Sequence, residues 1–407
     1  MNLADMTLAE ALAACPGLEE KLCATGLEAA LNEQGRRFVA PYVRLSTLLR
    51  SRGIDPAAFE AGLAAGDEGR RELSLPGERV RLNFLALMPC PLKMPFERAL
   101  AAHLASSPEA QDFTWCVEGN ANLQTTYYDL VPHFADADEL PDLIISPGVN
   151  VFFGDDFRRR FVDTGLFTDV TPDAVNADFA RDFAETPYKD PAGSYSMLAM
   201  NLLVFLVDEA RLGGRPAPRR FADLLEPEME DLVAVRGQKG FYCETMLMTV
   251  YREFGMDGVR RLARSVLCGL HPAEMVKMAG KGRADAPAVS VLPYFFARSV
   301  PREGSVRVVW PEDGALVSPV TLLAKREAVA RFPGIASFLA GPEVARIFSG
   351  ALFPALHPDV PTNLPETPAG SRRLKWLGWD FLAARDPEVL TRELTEAFIA
   401  ARPGKRP

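Results

Sequence analysis

No stretch of this 407-residue chain is apolar for long enough to cross a bilayer: the longest run, Met197–Val207, is broken by Asn201 and stops well short of the ~18 residues a membrane helix needs. A transmembrane anchor is not expected. An export signal is missing from the opening as well, since Met1 to Leu31 carries Asp5, Glu10, Glu19 and Glu20, one base at Lys21 and no continuous apolar core. The expectation is a cytoplasmic chain, or a periplasmic one if a leader precedes the sequence. Basic residues are outnumbered, 45 Lys and Arg against 54 Asp and Glu, for a net charge of −9. This argues against nucleic acid as a partner, because neutralising phosphates takes a clustered basic excess. The triplet Arg158-Arg159-Arg160 lies beside acids and reads as a solvated face.

Cysteine is sparse. Six residues, at 15, 23, 90, 116, 243 and 268, form no C-x-x-C pair, so neither a zinc ribbon nor a local disulfide framework is encoded, and free thiols in a reducing compartment are expected. The four histidines make no H-E-x-x-H pair, and no G-x-x-x-x-G-K-[ST] phosphate loop occurs. What remains is an ordinary globular composition, 48% hydrophobic and 24% charged, at a length that predicts two or three compact units.

The first sixty-odd residues form a unit of their own. Leu3, Met6, Leu8, Leu12, Leu18, Leu22, Leu27 and Leu31 recur at helical spacing, Thr7 and Glu10 offer a capping box, and Gly53 and Asp55-Pro56 separate two further helices. Beyond a turn-rich joint, strand and helix patterns alternate as in a mainly parallel sheet. Strands are expected at Val80–Met88, Asp112–Val117 and Asp142–Ser146, with helices at Met94–Ala105 and Leu123–Phe134. Ser196–Val207 is apolar throughout and reads as a strand buried on both faces. Leu232–Val235, helices over 241–254 and 258–267, and Ala288–Leu292 repeat the alternation. Val306, Val308 and Val309 with Trp310 then form a strand, Pro311 to Gly314 a turn, and Val317 to Leu323 another strand.

Three phrases carry a resemblance: Leu140-Pro141-Asp142-Leu143-Ile144-Ile145, Phe221-Ala222-Asp223-Leu224-Leu225-Glu226-Pro227-Glu228, and Trp310-Pro311-Glu312-Asp313-Gly314. In that order they resemble the type II periplasmic solute-binding proteins of ABC transporters, the receptors for iron, polyamines and oxyanions. The resemblance implies an α/β chain with a two-lobed type II periplasmic-binding-protein-like fold, here preceded by an all-α domain. The expected division is a helical domain over 1–66, a linker over 67–78, lobe 1 over 79–195 and 306–407, and lobe 2 over 196–305. The opening segment, through Thr7, Leu8, Glu10, Leu12, Pro16, Leu18, Leu22 and Gly26, resembles a small helical domain of unknown function seen in bacterial redox-associated proteins. Some members carry a cysteine pair after that glycine, where this chain has Leu27-Glu28-Ala29-Ala30. A role in contacting a protein partner is therefore expected of it, with a plain cap on the main body as the alternative.

Ligands of open α/β sheets bind beyond the carboxyl ends of strands, which directs attention to the loops there. After the first strand, Cys90 lies between Pro89 and Pro91, near Lys93 and a helix amino terminus, where a thiol serves as ligand or nucleophile. Cys116 ends the next strand, followed by Glu118-Gly119-Asn120, and Ser146 and Asn150 flank the third loop. In the second lobe Lys239, Tyr242, Cys243 and Glu244 join a strand to a helix, and Tyr195 and Tyr294 stand at other strand ends. The ligand-binding candidates are thus Cys90, Lys93, Asn120, Ser146, Asn150, Tyr195, Lys239, Tyr242, Glu244 and Tyr294. Cys90, Cys116 and Cys243 are candidates for a soft metal ion, and no other cofactor is implied. Iron receptors of the family use an adjacent pair of tyrosines, whereas Tyr294 is followed by Phe295 and Phe296. The expected function is capture of a small ligand or metal ion in a cleft between lobes, as a non-secreted sensor or carrier without catalysis. The alternatives are an enzyme on the same scaffold, resembling thiaminase-like proteins, with Cys90 as nucleophile and Glu244 as base, and a scaffold whose cleft is vestigial.

Overall fold

The computed structural model describes residues 3–15, 17–23, 25–64, 81–119, 121–180, 187–238, 241–301, 304–364 and 373–402. The expected linker at 67–78 lies outside them. The chain divides into two compact units, one of Met1–Ser146, Asp156–Phe167 and Leu323–Ile335, the other of Pro147–Asp155, Thr168–Leu322 and Ala336–Pro407.

The first unit opens with short helices, Leu8–Ala14, Leu18–Cys23, Glu28–Leu31, Glu33–Phe38, Leu45–Ser51 and Pro56–Ala64. The capping box forms as its spacing suggests: Thr7 N donates to Glu10 Oε2 at 2.7 Å and Glu10 N donates to Thr7 Oγ1 at 3.3 Å. Met6, Leu8, Leu18, Leu22, Leu27 and Leu31 turn inward, and Gly53 ends its helix at φ +70°. Strand β1 (Phe84–Leu87) is wholly buried and lies between β2 (Trp115–Glu118) and β3 (Leu143–Pro147), both parallel to it. A strand hydrogen-bonded on both edges and covered on both faces has to be apolar throughout, which explains Phe84-Leu85-Ala86-Leu87.

The opening helices sit on this sheet through a buried carboxylate. Glu139, with 1% of its side chain exposed, accepts from Arg44 Nη1 at 3.3 Å, Thr47 Oγ1 at 2.5 Å and the backbone N–H of Ala135 at 2.8 Å. The Phe38 ring meets Tyr127 edge-on at 5.9 Å. Those three donors offset the cost of burying the charge.

In the second unit β4 (Tyr195–Asp208) runs for 14 residues, buried at every position but Asn201. It is followed by β5 (Val233–Gln238), β6 (Phe241–Tyr242), β7 (Val266–Leu270), β8 (Val289–Pro293), β9 (Val306–Val309), β10 (Ala315–Ala324, whose last two residues belong to the first unit) and β11 (Leu374–Lys375). β4 pairs antiparallel with β8 and β9 and neighbours β10, while β5 lies parallel between β7 and β8. The helix Glu244–Ser265 bends at Gly255, which takes φ +64° and ψ −166° and so divides it near the expected gap between 254 and 258. Its ends differ from expectation because Phe241–Tyr242 and Val266–Leu270 are extended. Val266 to Leu270 fills the ladder position beside β5, and pairing overrides the helical pattern leading into it. The carboxyl-terminal helix Pro387–Ala400 packs along the helix Glu244–Ser265.

Candidate functional site

In the first unit the loops after β1 and β2 meet at the carboxyl edge of the sheet. Met88 N donates to Glu118 O at 2.7 Å, the Cys90 thiol donates to Gly119 O at 3.6 Å, and Lys93 Nζ lies 3.4 Å from Glu118 Oε1. A Cβ on Gly119 would come within 3.0 Å of Lys93 Cδ, so glycine lets the lysine stem cross the backbone. Cys90 and Met94 are both exposed, one turn apart on the helix Cys90–Ser106, whose amino-terminal cap is Pro89 with no side-chain bond. Asn120 lies outside the described residues. Cys116 pairs with Leu85 one strand away, and burial, then the charge of Glu118, pushes its thiol up to about 11. Ser146 is buried at the end of β3.

In the second unit the loop after β3 turns at Gly148, with φ +77° and its N–H on Pro319 O at 2.7 Å. Asn150 Oδ1 accepts from Phe152 N at 3.0 Å, and the Tyr195 hydroxyl donates to Phe152 O at 2.7 Å, so both candidate residues hold the backbone of Phe152. The Tyr195 ring stacks on Phe153 at 5.0 Å and leans on Trp379 at 5.5 Å. Tyr294 is buried edge-on to Trp310 at 5.6 Å.

Tyr242 turns its hydroxyl to Arg402 Nη1 and its ring to Phe398, 4.5 Å away. Cys243, beside it, caps the helix Glu244–Ser265 from a buried position, and burial, then the charge of Glu244, pushes its thiol up to about 11. Burial also raises the Glu244 carboxyl above the usual range, opposed by its own backbone N–H and by Arg236, whose guanidinium lies over the Phe241 ring. Lys239 lies outside the described residues.

Among the described residues no three or more His, Cys, Asp or Glu side chains gather to hold a metal ion, so Cys90, Cys116 and Cys243 are not part of such a group. Trp379, Phe152 and Phe153 were not nominated from sequence. Phe152 and Phe153 lie two and three residues after Asn150, a usable signal, whereas nothing local links Trp379 to Tyr195.

Residues 138–385, more than half of the chain, match the family described as bacterial extracellular solute-binding protein. The chain belongs to that family. Its solute-binding fold recurs in solved structures: a Trichodesmium protein in complex with iron and citrate ligands (12% identity, TM-score 0.53, covering 79% of this chain and 99% of that one) and a Bordetella ferric binding protein (12%, 0.53, 79% and 98%). The substrate-binding protein of an ABC transporter from Agrobacterium tumefaciens is a third (16%, 0.52, 80% and 96%). At such identities these likenesses establish the fold, that of the type II periplasmic binding proteins. No curated protein matches the chain.

Two of the phrases read in this solute-binding protein's sequence meet in space. Phe221 N donates to the Asp313 carboxylate at 3.1 and 3.2 Å, and Glu312 N donates to Arg219 O at 2.8 Å. Lys375 Nζ closes the group, 2.9 Å from Asp313 and 2.8 Å from Glu253. Among the described residues no helix is long and apolar enough to cross a membrane.

Proposed function

We propose that this solute-binding protein captures a small polar or anionic solute, with the strand-end corner at Cys90, Lys93 and Gly119 as one of its contact surfaces. The family match carries the reading of capture. The corner supports the class of solute, since a 17-residue helix begins there with Lys93 in its first turn, and a helix amino terminus and an ammonium both favour negative charge, part of which Glu118 already supplies. Iron, named for two of the structural neighbours, is less well served: Tyr195, Tyr242 and Tyr294 are buried in packing contacts. Asn120, Ser146, Asn150, Lys239 and Glu244 remain candidates for further contacts, and closure over the solute belongs to the same reading.

The opening helices would pass the loaded state to a protein partner, as a sensor or carrier does. Their buried anchor at Glu139 supports this, because a segment so fixed moves with the sheet it sits on. A cytoplasmic chain is the expectation, or a periplasmic one if a leader precedes the sequence, whereas its family is described as extracellular, and fractionation of cells expressing the native gene separates these.

Native mass spectrometry with elemental analysis of the freshly purified chain tests the reading. An organic adduct near one per chain is expected. A metal retained only while the thiols are free would overturn it in favour of a soft-metal carrier. Cys90→Ser separates capture from the enzyme alternative: a hydrogen-bonding contact keeps most of its affinity, and a thiolate nucleophile loses nearly all activity.

A further inference from the structure

A cavity of about 10 Å³ lies at the seam between the opening helices and the sheet of the first unit, lined by Tyr42, Arg81, Tyr127, Asp138 and Glu139 among others. The Tyr127 side chain is 3% exposed, and its hydroxyl has no hydrogen-bond partner among the described residues. A buried phenol left so forfeits the free energy of hydration, which native proteins recover with a partner. Glu139, which lines the same cavity, is an acceptor available to a bridging molecule. Three donors already reach it, from Arg44, Thr47 and Ala135, and a carboxylate has about four lone-pair directions, so one is left.

We infer that this cavity binds one water molecule, which accepts from the Tyr127 hydroxyl and donates to Glu139, bridging the sheet to the carboxylate that anchors the opening helices. Size and chemistry both select water. A volume near 10–15 Å³ holds one such molecule. Ammonium has no lone pair to accept the phenol proton. Arg81 and Asp138, both exposed, give the cavity a polar rim.

A high-resolution crystal structure of the full chain tests this. The expected result is an ordered solvent peak within about 3.2 Å of Tyr127 Oη and of Glu139. Tyr127→Phe removes one arm of the bridge and is expected to lower Tm by about 1–3 °C with loss of the peak. The inference is overturned if Tyr127 Oη bonds directly to a protein atom, if no solvent peak is present, or if Tyr127→Phe melts at or above the parent temperature, as removal of an orphaned hydroxyl would allow.

Discussion

Lys325 Nζ lies 3.3 Å from Asp142 Oδ1, with only 4% of the lysine side chain and 7% of the aspartate exposed. The lysine also donates to Ala137 O at 2.8 Å and Leu140 O at 2.7 Å, while Arg81 and Asn83 reach the same carboxylate at 2.7 and 2.9 Å. The end of β10 is thereby tied to the start of β3 and to the loop that carries Glu139.

Burial is the largest influence on Lys325 and pushes its amine down to about 8, with Asp142 pulling the other way. An unfolded lysine titrates near 10.4, so between pH ~8 and ~10.4 the unfolded chain binds more protons than the folded one. The cost of burying the charge is fully present below pH 8 and is relieved as pH rises through that window. Lys325→Met should lower stability by about 2–3 kcal/mol at pH 7, because two buried carbonyls lose their donor. The Tm gap between parent and variant should then widen from pH 7.5 to 10. A gap that narrows contradicts the account.

Asp313 takes the Phe221 N–H and the Lys375 ammonium together. Asp313→Ala strands a buried amide and leaves the largely buried Lys375 ammonium with Glu253 alone, at a cost of about 2 kcal/mol. Calorimetry should show a lower Tm with the solute stoichiometry unchanged, and an unaltered Tm would show that the contact adds nothing.

Gly314 stands at φ +117° in the turn between β9 and β10, and a Cβ there would meet Leu374 C at 3.0 Å and Lys375 N at 3.2 Å. Gly314→Ala combines backbone strain with a clash that no rotamer relieves, about 2 kcal/mol or more. Expression yield and thermal melting report it, and a variant as stable as the parent would mean that β11 shifts freely.

The thiols should fall into two classes. Cys23 and Cys90 are exposed, whereas Cys243 is 6% exposed with its thiol pushed up to about 11. At pH 7.5 iodoacetamide should modify Cys23 and Cys90 first and reach Cys243 only after urea is added, as peptide mass spectrometry would show. Rapid native labelling of Cys243 would refute its placement at the buried helix cap.

Much of the scaffold was legible because it depends on spacing along the chain. Apolar runs marked β1, β3, β4 and β8, the Thr7 and Glu10 spacing marked the first helix, and Pro311 to Gly314 marked a turn. β7 was not legible, since five apolar residues continuing a helical pattern carry no periodic signal of their own. The site was legible as a set of loops but not as a set of contacts. Cys90, Lys93 and Glu118 converge as parallel strand ends require, while Tyr195 and Tyr242 are drawn into packing by Trp379 and Arg402.

Sequence alone thus determined the α/β alternation, the helical opening and the family phrases, all patterns within a few residues of themselves. Tertiary structure decided which polar side chains are buried: Lys325 reads as the charged start of a helix, yet it ends among carbonyls some 185 residues earlier in the chain. Burial of such a group depends on donors and acceptors supplied from distant segments, and only folding brings those together.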